Sequence, residues 1–323
     1  MWTYSTVLRR KRANDVIMAI STNPEYMPGS IDEPIVHTWA AAEDSLSAAM
    51  TFPGKSRCFS GHVPGFPVLP GVAQLFMIRR FARRAFPDFP EAATYRRIKF
   101  RRLVCPDERV VLEMSRKKGG AFAFTMSVDG EVASCGSVEP RDAGDPVIAP
   151  EADGAFSIPA DDGSALPRSV LLDLLPHRPP MIVLADVLES DVSGVAYAIA
   201  DTSASSLFFD PEIGGVPACA AFEFMAQTMA LAVGAENCRL QRAPKVGLLL
   251  GTRRLDVCVD SFGCADRYVV AAKCTDAMAD FASFNCMIVS PEGETVAAAS
   301  LTAFQPPGDP KDFAEKFRNF DKR

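Results

Sequence analysis

A single acidic residue lies within one long apolar run of the sequence. From Ala218 to Ala235 the chain reads ACAAFEFMAQTMALAVGA, in which the polar residues are Glu223, Gln227 and Thr228. A segment that is apolar on every side is typical of a buried helix. Burial disfavours the charged form of a carboxylate, so the pKa of Glu223 should rise and suit it to proton transfer. The alternative is a structural carboxylate held by hydrogen bonds.

A histidine lies in a loop of the first half that is rich in proline and glycine. Residues 59–72 read FSGHVPGFPVLPGV and contain His62, Pro70 and Gly71. Proline suits the first position of a helix, so a helix is predicted to begin with Pro70. The N–H groups at its start would stabilise a developing negative oxygen, and Gly71 would allow a ligand close to the backbone. A lone loop histidine is more often structural, but a pKa near neutrality also suits a general base.

The elements around these segments follow the same order in both halves of the chain. Each half has a strand region, a proline and glycine turn, one apolar helix and then several strands. The helices are predicted from PGVAQLFMIRRFARR and PACAAFEFMAQTMALAVG. This order predicts an α+β fold in which antiparallel strands wrap a helix, repeated as an internal pseudo-dimer. The predicted division is an N-terminal extension (1–30), a first domain (31–140), a linker (141–165), a second domain (166–306) and a C-terminal tail (307–323).

Composition narrows the function classes. With 323 residues, 48% hydrophobic and 23% charged, the chain is typical of a globular protein of about two domains. A net charge of -6 argues against general nucleic-acid binding. The sequence has no apolar run of the roughly 18 residues that a membrane span needs, so we expect a cytoplasmic protein. Nine cysteines without zinc spacings and three histidines predict no metal site.

The motif GHVPGFPVLPGV resembles the signature of the hot-dog-fold 3-hydroxyacyl-acyl carrier protein dehydratases, GHFPxxPxxPG before a helix. In that family a catalytic histidine is followed nine residues later by a glycine and fourteen later by an acid. Here the glycine is Gly71, but the acidic position holds Phe76. The second half is similar to the family in LLDLLPHRPPMIVLADVLE and AFEFMAQ, yet fourteen residues before Glu223 stands Phe209 rather than histidine.

The two losses are complementary, because dimers of the family build each site from the histidine of one subunit and the carboxylate of the other. The resemblance therefore implies a double hot-dog fold with one composite site of His62 and Glu223, and an inactive mirror site of Phe76 and Phe209. The second half looks most like the dehydratase partner of aryl polyene pathways. The first half looks like the matching thioester dehydratase subunit.

The resemblance implies elimination of water from a 3-hydroxyacyl group on the phosphopantetheine of an acyl carrier protein, in fatty acid or aryl polyene biosynthesis. No cofactor beyond that arm is implied. His62 would take the proton alpha to the carbonyl, Glu223 would assist departure of the hydroxyl, and the Gly71 N–H would hold the carbonyl oxygen. His177, in LLPHRPPM, is expected to have a loop or substrate-tunnel role. The expected substrate-binding residues are Pro70, Val72, Phe76, Phe209, Pro217, Gln227 and His177.

Positive charge is concentrated between residues 79 and 118, in RRFARR, YRRIKFRR and SRKK. It predicts either solvated helix and strand faces or a dock for an acidic acyl carrier protein. Other enzymes of the pathway are further expected partners, and the chain is expected as a monomeric pseudo-dimer or a higher homo-oligomer. The first candidates for the dock are Arg79, Arg80, Arg83 and Arg84.

Three other functions compete with a dehydratase. A hot-dog thioesterase would hydrolyse the acyl thioester, although the intact GHVPGFPVLPG motif argues against it. A non-catalytic carrier-protein-binding scaffold is favoured by Phe76 and Phe209 if the halves do not pair. An enoyl-CoA hydratase would prefer coenzyme A esters over carrier-protein substrates.

Overall fold

The computed structural model describes residues 31–32, 34–141, 145–148, 156–159, 165–190, 192–278 and 280–306. The predicted N-terminal extension and C-terminal tail lie outside the described residues, as does most of the predicted linker. The strands of the first half end at Pro140 and those of the second begin at Ala165.

The first half packs one sheet around one helix. Helix α1 (Gly71–Ala85) begins one residue later than predicted, because Pro70 has an extended backbone with ψ of 145° and only precedes the helix. Alternate residues of strand β5 (Phe122–Val128) are buried, as expected for a strand with one face on the core. The other strands are β1 (Ile35–Ala42), β2 (Ser45–Thr51), β3 (Ala93–Phe100), β4 (Arg109–Arg116) and β6 (Glu131–Pro140).

The second half repeats this plan around helix α3 (Ala221–Arg239), which a 3-10 turn at Ala218–Ala220 precedes. By length and composition the segment Ala218–Arg239 could cross a membrane, but 78% of its most apolar window is buried inside the protein. A short helix α2 (Ser169–Leu174) contacts α3. The strands are β7 (Ala165–Leu166), β8 (Leu184–Leu188), β9 (Val195–Ala200), β10 (Gly215–Pro217), β11 (Leu248–Val257), β12 (Ser261–Gly263), β13 (Val269–Met278), β14 (Phe281–Val289) and β15 (Thr295–Phe304).

One continuous sheet joins the two halves. Strand β3, which follows α1, pairs antiparallel with β11, which follows α3, and Ile98 lies opposite Thr252. Outward from this junction the strand order is β3-β6-β5-β4-β2-β1 on one side and β11-β15-β14-β13-β9-β8-β7 on the other. The strands β10 and β12 pair with each other in a separate two-stranded sheet. When these two strands and the terminal β7 are left out, the two orders are the same with each strand counted along its own half. The predicted α+β double hot-dog pseudo-dimer is confirmed.

A buried ion pair strengthens the junction. Asp256 on β11 is fully buried, and its Oδ1 accepts a 2.6 Å hydrogen bond from the Thr94 hydroxyl of β3. The same oxygen lies 2.8 Å from Nη1 of Arg141, which follows β6. The other oxygen of Asp256, Oδ2, accepts a 2.8 Å hydrogen bond from Nε of Arg254 on the same strand. Burial raises the pKa of Asp256, but the bonds from Arg254 and Thr94 and the charge of Arg141 together keep it below its ordinary value, so Asp256 is charged at neutral pH.

Candidate active site

His62 lies in the loop between a 3-10 turn (Arg57–Phe59) and α1. Its Nδ1 is 3.1 Å from the backbone carbonyl oxygen of Val68. Because a carbonyl oxygen can only accept, this contact assigns the ring proton to Nδ1 and leaves the Nε2 lone pair available. Burial lowers the pKa of His62 to about 4, so the ring is neutral at pH 7. His62 therefore has a neutral ring with a free Nε2 lone pair, which is the form that a general base requires.

Glu223 lies in the first turn of α3 and is 6% exposed. Burial raises the pKa of its carboxyl to about 7, an effect that a hydrogen bond from Gln227 opposes. A large fraction of Glu223 is consequently protonated near neutral pH, which is the form that a general acid requires.

Gln227, one helical turn beyond Glu223, orients this acid. Its Nε2 donates to the Met181 carbonyl oxygen at 2.7 Å and to Glu223 Oε1 at 2.8 Å, while its Oε1 accepts from the Val183 N–H at 3.1 Å. The two backbone partners determine which end of the amide faces Glu223. Oε1 of Glu223 therefore accepts a hydrogen bond from Gln227, and the carboxyl group has one transferable proton when it is protonated. The spacing of four residues on one helix was the signal in the sequence for this pairing.

His177 lies between the two groups. Its Nε2 is 3.9 Å from Glu223 Oε1, and its ring centroid is 5.8 Å from that of His62. Burial, followed by the proximity of His62 and Arg178, lowers the pKa of His177 to about 3. The loop that carries His177 contacts the His62 loop directly, because the Arg178 N–H donates to the Gly61 carbonyl oxygen at 2.8 Å.

A cavity of about 420 Å³ connects these side chains. Its lining includes His62, Gly71 and Val72 from the first half, and His177 and Glu223 from the second. Gly71 is the first residue of α1, where a helix leaves its N–H groups without intrahelical partners. The structure thus places a base, an acid and a helix N-terminus around one space between the halves.

Aromatic packing fills the predicted mirror site. The ring of Phe76 lies 5.5 Å from that of Phe208, a fully buried residue that immediately precedes Phe209. Phe209 itself is half-buried and packs against the core. Because they are packed within the protein, five residues expected to bind substrate are not among the described residues that line the cavity, namely Pro70, Phe76, Phe209, Pro217 and Gln227.

The predicted surface position of Arg79 is wrong. Arg79 is 4% exposed, because its guanidinium pairs with Glu91 at 2.7 Å and with Asp210 of the other half at 3.1 Å. Along the same helix Arg80 is half-buried, and Arg83 and Arg84 are exposed. A docking role for these three arginines stays a prediction.

Each half of the chain matches a different family model. Residues 38–137 match the family model described as ApeI dehydratase, and residues 170–315 match the one described as ApeP dehydratase. No curated protein matches the chain.

Two solved structures share the fold over most of this chain, and a third matches less than half of it. The dehydratase domain of RzxB from Pseudomonas fluorescens is 16% identical, with a TM-score of 0.61 over 84% of this chain and 98% of that one. The dehydratase domain of PpsC from Mycobacterium tuberculosis, in complex with C12:1-CoA, is 11% identical, with a TM-score of 0.56 over 84% and 99%. The dehydratase heterocomplex ApeI:P from Xenorhabdus doucetiae is 24% identical, with a TM-score of 0.41 over 45% and 95%. The chain therefore joins an ApeI-like half and an ApeP-like half, and is a fused pair of hot-dog dehydratase domains that resembles the aryl polyene dehydratases.

Proposed function

We propose that this dehydratase converts a 3-hydroxyacyl group on an acyl carrier protein into the trans-2-enoyl form, at one composite site. The observation that carries the proposal is the cavity between the halves, which His62 enters from one half and Glu223 from the other. Each half retains one of the two groups that the elimination needs. The site is complete because the halves are paired.

His62 starts the reaction. Its Nε2 takes the proton from the carbon alpha to the thioester carbonyl, since Nδ1 is already engaged by the Val68 carbonyl. Negative charge then develops on the thioester oxygen. The Gly71 N–H at the start of α1 is the donor proposed to hold that oxygen, a type of contact worth on the order of 3 kcal/mol in other enzymes.

Glu223 completes the reaction. As the bond from the 3-carbon to its hydroxyl breaks, the carboxyl proton of Glu223 passes to the departing oxygen, which leaves as water. The site then holds an imidazolium at His62 and a carboxylate at Glu223. Transfer of the proton from His62 to Glu223 through solvent restores the starting state, so proton and charge balance over the cycle.

The length of the cavity supports a substrate on a phosphopantetheine arm. Its lining runs from Glu223 in the first turn of α3 to Asn237 in the last, 14 residues or about 21 Å of helix. Phosphopantetheine has about 15 bonds from phosphorus to the alpha carbon of its acyl group, and about 1.2 Å per bond in an extended chain gives about 18 Å. The arm therefore fits between the reacting groups and the C-terminal end of α3.

Charge at that end supports the same occupant. Exposed Arg242 and Lys245 follow α3 and line the cavity, where they can contact a phosphate. Two acidic residues share the lining, Glu236 and Asp280, and Glu236 is paired with Arg239 at 2.6 Å. Arg242 and Lys245 stand in a short loop without a run of charges, so no pattern in the sequence indicated them.

The decisive experiment follows loss of water by mass spectrometry from a 3-hydroxyacyl-carrier-protein substrate. The wild type should form the enoyl product, and folded His62→Ala and Glu223→Gln should each lose activity. An inactive wild type, or either variant at full rate, would refute the composite site and favour the carrier-binding scaffold. Release of free acid would indicate a thioesterase, and a preference for the coenzyme A ester would indicate an enoyl-CoA hydratase.

A second experiment tests the phosphate contact. The double variant Arg242→Ala/Lys245→Ala should raise KM for carrier-bound substrate and leave KM unchanged for a short pantetheine thioester that lacks the phosphate. The matched pair Arg83→Ala/Arg84→Ala lies on α1, away from the cavity lining. If only this second pair raises KM for the carrier-bound substrate, the carrier docks on α1 instead.

A further inference from the structure

His177 has a polar atom directed at the acid but no direct bond to it. The 3.9 Å between His177 Nε2 and Glu223 Oε1 is too long for a hydrogen bond. A single oxygen atom can instead bridge the two groups. Placed about 2.8 Å from each of the two atoms, it would form two hydrogen bonds that meet at an angle of about 90° at the bridging oxygen. The gap therefore has the size of one hydroxyl or water oxygen.

The surroundings of the ring determine which nitrogen carries the proton. Nδ1 of His177 is buried and has no hydrogen-bond partner among the described residues. A buried N–H without an acceptor is rarer in proteins than a buried acceptor without a donor, so the proton belongs on Nε2. The depressed pKa of His177 keeps the ring neutral above about pH 3. His177 thus presents an Nε2–H donor beside Glu223.

The loop holds this donor in a defined position. Nη1 of Arg178 donates to the carbonyl oxygens of Leu175 at 2.8 Å and of His177 at 2.7 Å. The Arg178 N–H also bonds to Gly61, next to His62. A side chain at Gly61 would lie 1.9 Å from the Arg178 carbonyl oxygen, so the two loops are in contact. The positions of His177 and of the base are consequently linked.

We propose that His177 is a further catalytic residue, whose Nε2–H donates a hydrogen bond to the oxygen of the departing 3-hydroxyl and holds it beside Glu223. The proposal rests on the dehydratase function proposed above. In the step itself His62 gains the alpha proton, the carbon–oxygen bond breaks, and the oxygen takes the Glu223 proton. His177 keeps its own proton and stabilises the oxygen as charge develops on it.

A substrate without a leaving group tests this role. In a saturated acyl thioester no oxygen departs, while His62 can still exchange the alpha proton for deuterium from heavy water. His177→Leu should lower kcat for the 3-hydroxyacyl substrate by about 10²-fold, the loss typical of one such donor, with KM little changed. The rate of alpha-deuterium exchange into the saturated acyl substrate should fall less than about 10-fold in the same variant. His62→Ala should be inactive on both.

Two further variants control the experiment. His177→Gln can place an amide N–H near the position of Nε2 and should retain much more activity than His177→Leu. His37→Leu removes an exposed histidine of β1, which bonds to Thr51 and does not line the cavity, and should be neutral.

The outcomes separate the two proposals. Equal losses of His177→Leu on the two substrates, or full activity on the hydroxyl substrate, would overturn the role of His177 while leaving the dehydratase intact. A wild type that eliminates no water would overturn the proposed function itself.

Discussion

Replacing the buried acid by its amide should change how stability depends on pH. Glu223→Gln keeps the size of the side chain and an oxygen that can accept from Gln227, but it cannot ionise. In the wild type the pKa of Glu223 is raised to about 7 from an ordinary value of 4.5. Between these values the folded state binds more protons than the unfolded state. The contribution of Glu223 to stability is therefore complete below pH 4.5 and is lost as pH rises through 7.

The size of the effect follows from the two pKa values. Proton linkage gives a loss of about 0.8 kcal/mol at pH 5 and about 3.3 kcal/mol at pH 8, relative to acid pH. Between pH 5 and 8 the wild type should thus lose about 2.5 kcal/mol more of its free energy of unfolding than Glu223→Gln. The lowered pKa values of His62 and His177 act in the opposite direction, but in both proteins alike, so they cancel in the comparison.

Urea unfolding of both proteins at pH 5 and pH 8, in buffers of equal ionic strength, measures this double difference. Any effect of the substitution that does not depend on pH is removed by the subtraction. If the two proteins show parallel pH dependences, within about 0.5 kcal/mol, Glu223 does not have a raised pKa and the argument for it as the acid fails.

Three shorter predictions concern the rate and the packing. The value of kcat/KM for dehydration should fall tenfold per pH unit above about pH 7, as Glu223 of the free protein loses its proton, and below about pH 4, as His62 gains one. A flat kcat/KM profile from pH 6 to 9 would contradict the assignment. Gly71→Ala places a Cβ 2.6 Å from the Phe100 ring and should lower the free energy of unfolding in urea by about 1–3 kcal/mol. The double variant with Phe100→Leu should recover this loss. An unchanged free energy of unfolding in the single variant would show that the Phe100 ring moves aside without cost. Asp256→Ala leaves the buried Arg141 without its carboxylate partner and should lower the free energy of unfolding by about 3–5 kcal/mol. A loss below about 1 kcal/mol would show that the ion pair does not stabilise the junction.

The strands and the two long helices could be predicted from local patterns, because they depend on periodicities that the chain carries itself. The α3 segment is apolar on all sides and is buried, as Ala218–Ala235 predicted. Helix α2 has six residues, fewer than two turns, and shows no period to detect. The strands β10 and β12 have three residues each and leave no alternation to recognise.

The relation between side chains distant in sequence was harder to predict. Arg79 belongs to a run of basic residues that is typical of an exposed surface. In the structure it is buried, and one of its ion-pair partners is Asp210, 131 residues away in the sequence. His177 lies near His62 and Glu223 because its loop contacts the His62 loop of the other half. No local sequence pattern indicates such a contact between distant loops. Residue spacing indicated Phe209 for the mirror site, whereas the loop turns so that its neighbour Phe208 packs on Phe76.

The difference between the two halves follows from the free-energy cost of burying an acid. Burial of Glu223 costs about 3 kcal/mol of the free energy of unfolding at neutral to alkaline pH, and a second acid at the position of Phe76 would add a similar loss. The contact between Phe76 and Phe208 instead adds favourable aromatic packing of about 0.5–1.5 kcal/mol. The proposed site takes His62 from one half and Glu223 from the other, so it requires the halves to be held together. The β3–β11 pairing and the buried Asp256 ion pair supply that constraint within one chain, so the proposed site does not depend on the concentration of a separate partner.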